Sequence, residues 1–166
     1  MENVKIKLSC GLIPVKGSAY AAAYDLYVPY DIVLHYGRQV VDLRFSMELP
    51  HGLAAIVQPR SGFSSKGMLV YKESRFSLLR WLGLGVKNAR IDADVLIGLI
   101  DEDYRGGVGV IIQNRYRGLF HRAVIPAGTR IAQMRIVAVP EVVFTETEEL
   151  DMTKDRRGGY GSTGIK

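Results

Sequence analysis

The sequence has a single cysteine and a single tryptophan, and it has no long apolar run. With Cys10 alone, neither an intrachain disulfide nor a cysteine-based metal cluster can form, a usage that suits a reducing compartment. No segment reaches the roughly 18 uncharged apolar residues of a membrane-spanning helix. The opening MENVKIKLSC lacks an apolar signal-peptide core, so the expectation is an intracellular protein, cytoplasmic or nuclear, with no secretion signal. The glycine-rich end GGYGSTGIK is no Walker loop: Ile165 stands where that pattern needs Lys, and no helix follows.

What is present fits one globular domain. The chain has 166 residues, 48% hydrophobic and 23% charged, enough to bury a core and too few for a second domain of similar size. Its 22 Lys plus Arg against 17 Asp plus Glu give a net charge of +5. Such an excess favours phosphate-bearing ligands, and it also serves plain solubility.

Short alternating or apolar runs recur at Val4–Leu8, Tyr24–Val28, Arg38–Leu49, Leu53–Gln58, Val108–Asn114 and Arg130–Val139, bounded by turn signals such as Pro50-His51-Gly52. Many short strands with that punctuation predict an all-β sandwich, barrel or jelly roll. LAAIVQ and VGVIIQN are apolar throughout, which predicts central strands covered on both faces. The segment Lys72–Gly85 differs: apolar residues at 76, 78, 79, 81, 82 and 84, with Ser74 as N-cap and Gly83 or Gly85 as stop, predict a short amphipathic helix. Closure over the domain's own core is one use for it; a partner or membrane-surface contact is the other.

Five polar clusters flanked by glycine or turn residues remain: AAYDLY (Ala22–Tyr27), PRSGFSSKG (Pro59–Gly67), GLIDEDYRGG (Gly98–Gly107), AGTRIAQ (Ala127–Gln133) and GGYGSTG (158–164). Arg60, Ser61 and Gln133 are donor types that bind phosphate oxygens, and neighbouring glycines such as Gly62 let backbone N–H groups approach a ligand. Singly, these are turns and hairpin ends. In order and together they resemble the five motifs of the trimeric deoxyuridine triphosphate nucleotidohydrolases, the dUTPase family, from about residue 15 to Gly164.

The resemblance implies a distorted jelly roll or β-clip barrel with one short inserted helix. Residues 1–140 would form the β domain, with 72–94 inserted, and 141–166 a C-terminal arm. It implies hydrolysis of dUTP to dUMP and pyrophosphate, which limits uracil in DNA and supplies dUMP. A water oriented by Asp101 attacks the α-phosphorus in line, with no protein nucleophile. Gly98 and Ile100 belong to the base-contacting turn, and Tyr104 packs under deoxyribose, leaving no room for a 2′-hydroxyl. Arg60, Ser61, Gly62 and Gln133 grip the phosphates. Mg²⁺ is the implied cofactor, with Asp25 holding metal-bound water; from its own residues alone Asp25 reads as a strand-end cap. Tyr160 stacks on uracil as the arm closes, and Gly161, Ser162 and Thr163 meet the terminal phosphates. The arm crosses to another subunit, so a homotrimer with shared active sites is expected, with dUTP as ligand, no membrane and no stable nucleic-acid complex. A protein partner at Phe76–Leu84 is the alternative role of the insertion.

The pattern Ile-Asp-x-Asp occurs twice, at Ile91–Asp94 and Ile100–Asp103. Only the second has a Gly three residues before its first Asp and a Tyr three after, so the catalytic role goes to Asp101, and Asp92 and Asp94 are assigned to the insertion. Val95 stands at the family's uracil-reading Asn. Asn88 could replace that amide, or backbone groups near Gly98 could read the base edge. Asp155 and Arg156 stand where the fifth motif carries Arg-Gly, so Arg156 or Arg157 would take the Arg role by a small shift. Two other readings are a non-catalytic dUTPase-like binding protein and a relative of dCTP deaminase; the deaminase needs a Glu where Ile111 stands.

Overall fold

A computed structural model describes residues 2–82, 87–118 and 121–154. In chain order the strands are β1 (Lys5–Leu8), β2 (Val15–Lys16), β3 (Tyr24–Tyr27), β4 (Ile32–Leu34), β5 (Gly37–Asp42), β6 (Phe45–Glu48) and β7 (Leu53–Gln58). After helix α1 (Ser61–Lys66) come β8 (Met68–Ser74), helix α2 (Ser77–Trp81), β9 (Lys87–Ile91), β10 (Ala93–Val95) and β11 (Gly98–Ile100). Strands β12 (Gly109–Asn114), β13 (His121–Ile125) and β14 (Arg130–Ala138) complete the domain. Hydrogen bonding orders them as β11-β7-β14-β3-β2, β4-β13-β8-β9, β10-β12-β5 and the pair β1-β6. All pairings are antiparallel, as the predicted all-β architecture requires.

The core is built from alternate strand positions. Leu26, Val28, Leu43, Val57, Val110, Ile112, Ile125 and Ile131 are each at most 2% exposed, and full burial of such a side chain is worth about 1.5–3 kcal/mol. The predicted run Arg38–Leu49 is two strands, because Arg44 takes φ 58 and its N–H donates to the Asp42 carboxylate at 2.8 Å, turning the chain between β5 and β6. The expectation for LAAIVQ and VGVIIQN is half met. Strands β7 and β12 are interior in their sheets, but β12 alternates, burying Val110, Ile112 and Asn114 while Ile111 stays partly exposed. One chain covers one face only.

The predicted helix Lys72–Gly85 also needs correction. Lys72–Ser74 continue β8, which pairs with β9 from Met68↔Ile91 to Lys72↔Lys87, and α2 spans five residues beyond it. The hairpin ladder satisfies backbone groups that an isolated helix of this length would hold poorly. Ser74 Oγ does not cap α2; it accepts from the Phe76 N–H at 3.2 Å. Nor does the helix close over the core, since Phe76, Leu78, Trp81 and Leu82 are 57%, 64%, 81% and 51% exposed. Gly83, Leu84 and Gly85 lie outside the described residues, as do Arg156, Arg157, Tyr160, Gly161, Ser162 and Thr163. Among the described residues no helix is long and apolar enough to cross a membrane.

Candidate functional site

Three adjacent strands set one row of side chains at the same level. Gln133 of β14 is opposite Asp25 of β3 on one side and Gln58 of β7 on the other. On a regular strand Arg130 and Gln133, three apart, would face opposite sides of the sheet. A register shift between Arg130 and Ala132 removes that parity. Ile131 and Ala132 are consecutively buried, and Arg130, Gln133 and Arg135 all line one cavity with Asp25, Gln58, Arg60, Ser61 and Gly62. That cavity measures about 390 Å³. Gln133 Nε2 donates to the Pro59 carbonyl at 3.1 Å, tying β14 to the turn that carries Arg60.

Asp25 is 8% exposed and is no strand cap. Arg60 Nε donates to its Oδ1 at 2.9 Å and Arg130 Nη1 to its Oδ2 at 3.2 Å. A nearly buried carboxylate needs such pairing. With Nε committed to Asp25, the Nη groups of Arg60 have no hydrogen-bond partner among the described residues and are left for a ligand. Arg60, Arg130 and Arg135 against one Asp make the cavity cationic, and Ser61 and Gly62 open α1 at its wall. Arg130, which the sequence reading did not assign, sits inside the quoted AGTRIAQ cluster; its odd spacing from Gln133 concealed it.

The second cavity, of about 320 Å³, is lined by Gly98, Leu99, Ile100, Asp101, Tyr104 and Gly107, with Val40, Leu96 and Ile111 opposite. The Tyr104 N–H donates to the Asp101 carbonyl at 3.2 Å, and the Tyr104 phenol donates to the Gly107 carbonyl at 3.1 Å, folding the ring back along the turn. Gly106 makes this possible: a Cβ there would sit 2.6 Å from Tyr104 Cζ. Ile100 is 8% exposed and belongs to the core, so it offers a ligand mainly backbone. Strand β11 is the edge of its sheet, so part of its N–H and C=O row has no strand partner. Val95 is 4% exposed in the core, and its side chain does not line this cavity.

The two Ile-Asp-x-Asp copies have different fates. Asp92 and Asp94 both accept from Arg115 Nη1, at 2.9 and 2.7 Å, and these bonds raise the Arg115 pKa, that to Asp94 first. They clamp β10 to the end of β12. Asp101 is exposed and has no side-chain hydrogen bond or ion pair among the described residues. Asn88 lies on edge strand β9 opposite Tyr71, in a different sheet from Gly98, and lines neither cavity.

Val57 and Gln58, consecutive on β7, line the two cavities, but Asp101 and Arg60 are far apart within one chain. Ile100 pairs with Ala55, so Asp101 is level with Ala54, whereas Arg60 lies beyond the other end of β7. Six residues at about 3.3 Å each give a separation of roughly 20 Å. Beside Asp101, Glu102 accepts from the Gly52 N–H at 2.6 Å and lies 3.0 Å from His51 Nδ1, while His51 Nε2 is 3.7 Å from Glu141 at the start of the arm. The His51 hydrogen bond, then the Gly52 N–H, holds Glu102 below its ordinary 4.5, and the Glu102 bond and charge raise His51 above its ordinary 6.5. The Glu102 contribution is present above 4.5 and fades as pH falls through its lowered value; the His51 contribution is full below 6.5 and lost as pH rises through its raised value. Thermal melts of the wild type and His51→Gln should therefore differ most between those two pH values and converge in alkali. A difference that grows with pH would reject the clamp.

A family model described as dUTPase matches residues 11–76 and 83–164. The deoxyuridine 5′-triphosphate nucleotidohydrolase of Yarrowia lipolytica is 36% identical over 155 residues, covering 92% of this chain and 82% of that protein. The chain belongs to the dUTPase family. In its solved relatives the likeness is one of fold. A Staphylococcus bacteriophage 80alpha dUTPase variant with dUpNHpp superposes with a TM-score of 0.75 at 21% identity, covering 99% of this chain and 100% of the other. A variant of the dUTPase from phage phi11 of S. aureus, described for its coordination of a structural Mg(II) ion, gives 0.67 at 18% identity, covering 89% and 97%. The dUTPase family match omits 77–82, which are α2 and Leu82. Among the described residues no group of three or more His, Cys, Asp or Glu is placed to hold a metal.

Proposed function

We infer that this dUTPase-family chain hydrolyses dUTP to dUMP and pyrophosphate, with each active site assembled from two half-sites on different chains of a homotrimer. The observation that carries the reading is the turn Gly98–Gly107, which presents a carboxylate without a partner among the described residues, beside an edge strand and a folded-back tyrosine ring. The open edge of β11 reads the uracil edge through backbone groups, so neither Val95 nor Asn88 is needed. The Tyr104 ring forms the floor for deoxyribose. Asp101 orients a water, which attacks the α-phosphorus; the bond to the bridging oxygen breaks, pyrophosphate leaves, and the carboxylate takes the water's proton.

The cationic cavity holds the triphosphate. Arg60, Ser61, Gly62 and Gln133 donate to phosphate oxygens, joined by Arg130, and Asp25 positions both arginines from behind. The donor set fits a hydrated Mg²⁺ carried in on the phosphates and no bare protein-held ion, since among the described residues Asp25 is the single carboxylate lining the cavity. Its oxygens keep lone pairs beyond those used by Arg60 and Arg130, enough to accept from metal-bound water. Bound there, the ion would neutralise part of the triphosphate charge.

Two features support the shared site. Asp101 and Arg60, roughly 20 Å apart along β7 in one chain, are too far apart to serve one phosphorus together. Among the described residues the arm, as far as Lys154, runs without strand pairing and exposes Val142, Val143 and Phe144 at 66%, 91% and 93%, apolar area that calls for cover from another chain. Tyr160, Ser162 and Thr163, with Arg156 or Arg157, would then close the neighbour's site.

Incubation with Mg²⁺ and each deoxynucleoside triphosphate in turn tests the reading: pyrophosphate should appear from dUTP alone, and cleavage of dCTP or of none would overturn it. Gly106→Ala should displace the Tyr104 ring and lower kcat/KM for dUTP by about 10²-fold, a loss of the size expected for misplacing a positioning group by about 1 Å. An unchanged kcat/KM would show that the ring is not the sugar platform.

A further inference from the structure

A third cavity, of about 710 Å³, shares no residue with either half-site. It opens on the sheet β4-β13-β8-β9, over a floor that includes Leu34 and Ala123, and its rim carries Tyr36, Arg75, Tyr116, Arg117, His121 and Arg122. No carboxylate lines it among the described residues. Arg122 is committed to Glu73 at 2.6 Å, but Arg75 and Arg117 have no hydrogen-bond or ion-pair partner among those residues. The Arg117 guanidinium lies 4.1 Å from the Tyr36 ring centre, and the Lys72 ammonium lies 4.4 Å from that of Tyr116.

We propose that this cavity is a second binding site for a nucleoside phosphate, independent of catalysis. The chemistry has two halves. Free guanidinium groups with no competing carboxylate attract and fork onto phosphate oxygens, and stacking on tyrosine holds Arg117 ready to do so. Aromatic faces above an apolar floor take a base: Tyr36 is 56% exposed while Arg117 stacks on it, so ring surface remains for a ligand. The volume lies within the roughly 300–1,000 Å³ usual for small-molecule sites. A plain anion site would not need the tyrosines, and an apolar site would not need the arginines. Because stacking tolerates any base, the ligand has two sources, a free nucleotide or an unpaired nucleotide of single-stranded DNA, and in either form the contact is weak and salt-sensitive.

The test uses the full chain with probes lacking uracil: 2′-deoxyadenosine monophosphate by calorimetry and a fluorescein-labelled (dA)12 strand by anisotropy. Saturable binding of at least one probe is expected, weakening by about tenfold between 50 and 200 mM salt. The double charge reversal Arg75→Glu/Arg117→Glu should weaken binding by about tenfold, and Tyr36→Leu should weaken it as well, while both variants hydrolyse dUTP at the wild-type rate. Binding of the mononucleotide alone identifies the free nucleotide as the source; binding of the strand alone identifies DNA. Failure of both probes to saturate, or equal binding by the charge-reversed protein, overturns the proposal.

Discussion

Replacing Asp101 with Asn should lower kcat for dUTP by about 10²–10⁴-fold, the usual contribution of a positioned general base. The substitution keeps shape and removes the charge. The Asp101 side chain is exposed and has no partner among the described residues, and its backbone carbonyl, which accepts from Tyr104, is untouched, so the turn should survive. The diagnostic result is a split: pyrophosphate release collapses while calorimetric binding of a non-hydrolysable dUTP analogue stays within a few-fold of wild type. Full turnover in the variant would place the base elsewhere, with Asp103 the candidate on the same turn, since Glu102 is held by His51 and the Gly52 N–H. Equal loss of binding and turnover would make Asp101 part of the ligand's grip.

Mixing two dead enzymes should restore activity. In the proposed site Asp101→Asn lacks the carboxylate that orients water, and Arg60→Ala lacks a phosphate clamp. If each site takes its Gly98–Gly107 turn from one chain and its Arg60 cavity from another, equal amounts unfolded and refolded together should recover roughly a quarter of wild-type activity. Each intact half is then drawn independently with even odds from a symmetric assembly. Either variant alone should stay near its own floor. No recovery in a mixture whose co-assembly is proved by mass spectrometry would mean that one chain carries both halves, against the roughly 20 Å laid down along β7.

Much of this arrangement was readable in the residues because local rules and the motif set agreed. The turn around Asp101 was marked by Gly98 and Tyr104 at fixed offsets, whereas Asp92, which has neither, is clamped by Arg115; the glycine that leaves room for the folded-back ring is Gly106. Asp25 was harder, because one carboxylate at a strand start says nothing about two arginines arriving from β14 and from the turn after β7. Periodicity misled at Lys72–Gly85, where the first three residues belong to a hairpin strand and the apolar residues 78, 79 and 81 to an exposed five-residue helix. Spacing alone does not reveal whether the surface it describes has anything to cover. The one-sided exposure of β12 was missed for the opposite reason: an apolar outer face reads as buried when a single chain is assumed.

The irregularity between Arg130 and Ala132 acts as a parity switch. One residue of slack converts an odd interval into an even one, and this brings a guanidinium and an amide to the same side of β14. Deleting Ile131 would leave Arg130 two positions from Gln133 in unbroken register with Tyr27, Leu26 and Asp25, so both side chains would keep the same side of the sheet without the irregularity. Such a protein would keep what steadies Asp25 and lose a fully buried isoleucine, so a shortening there would be more costly to folding than to the placement of the arginine.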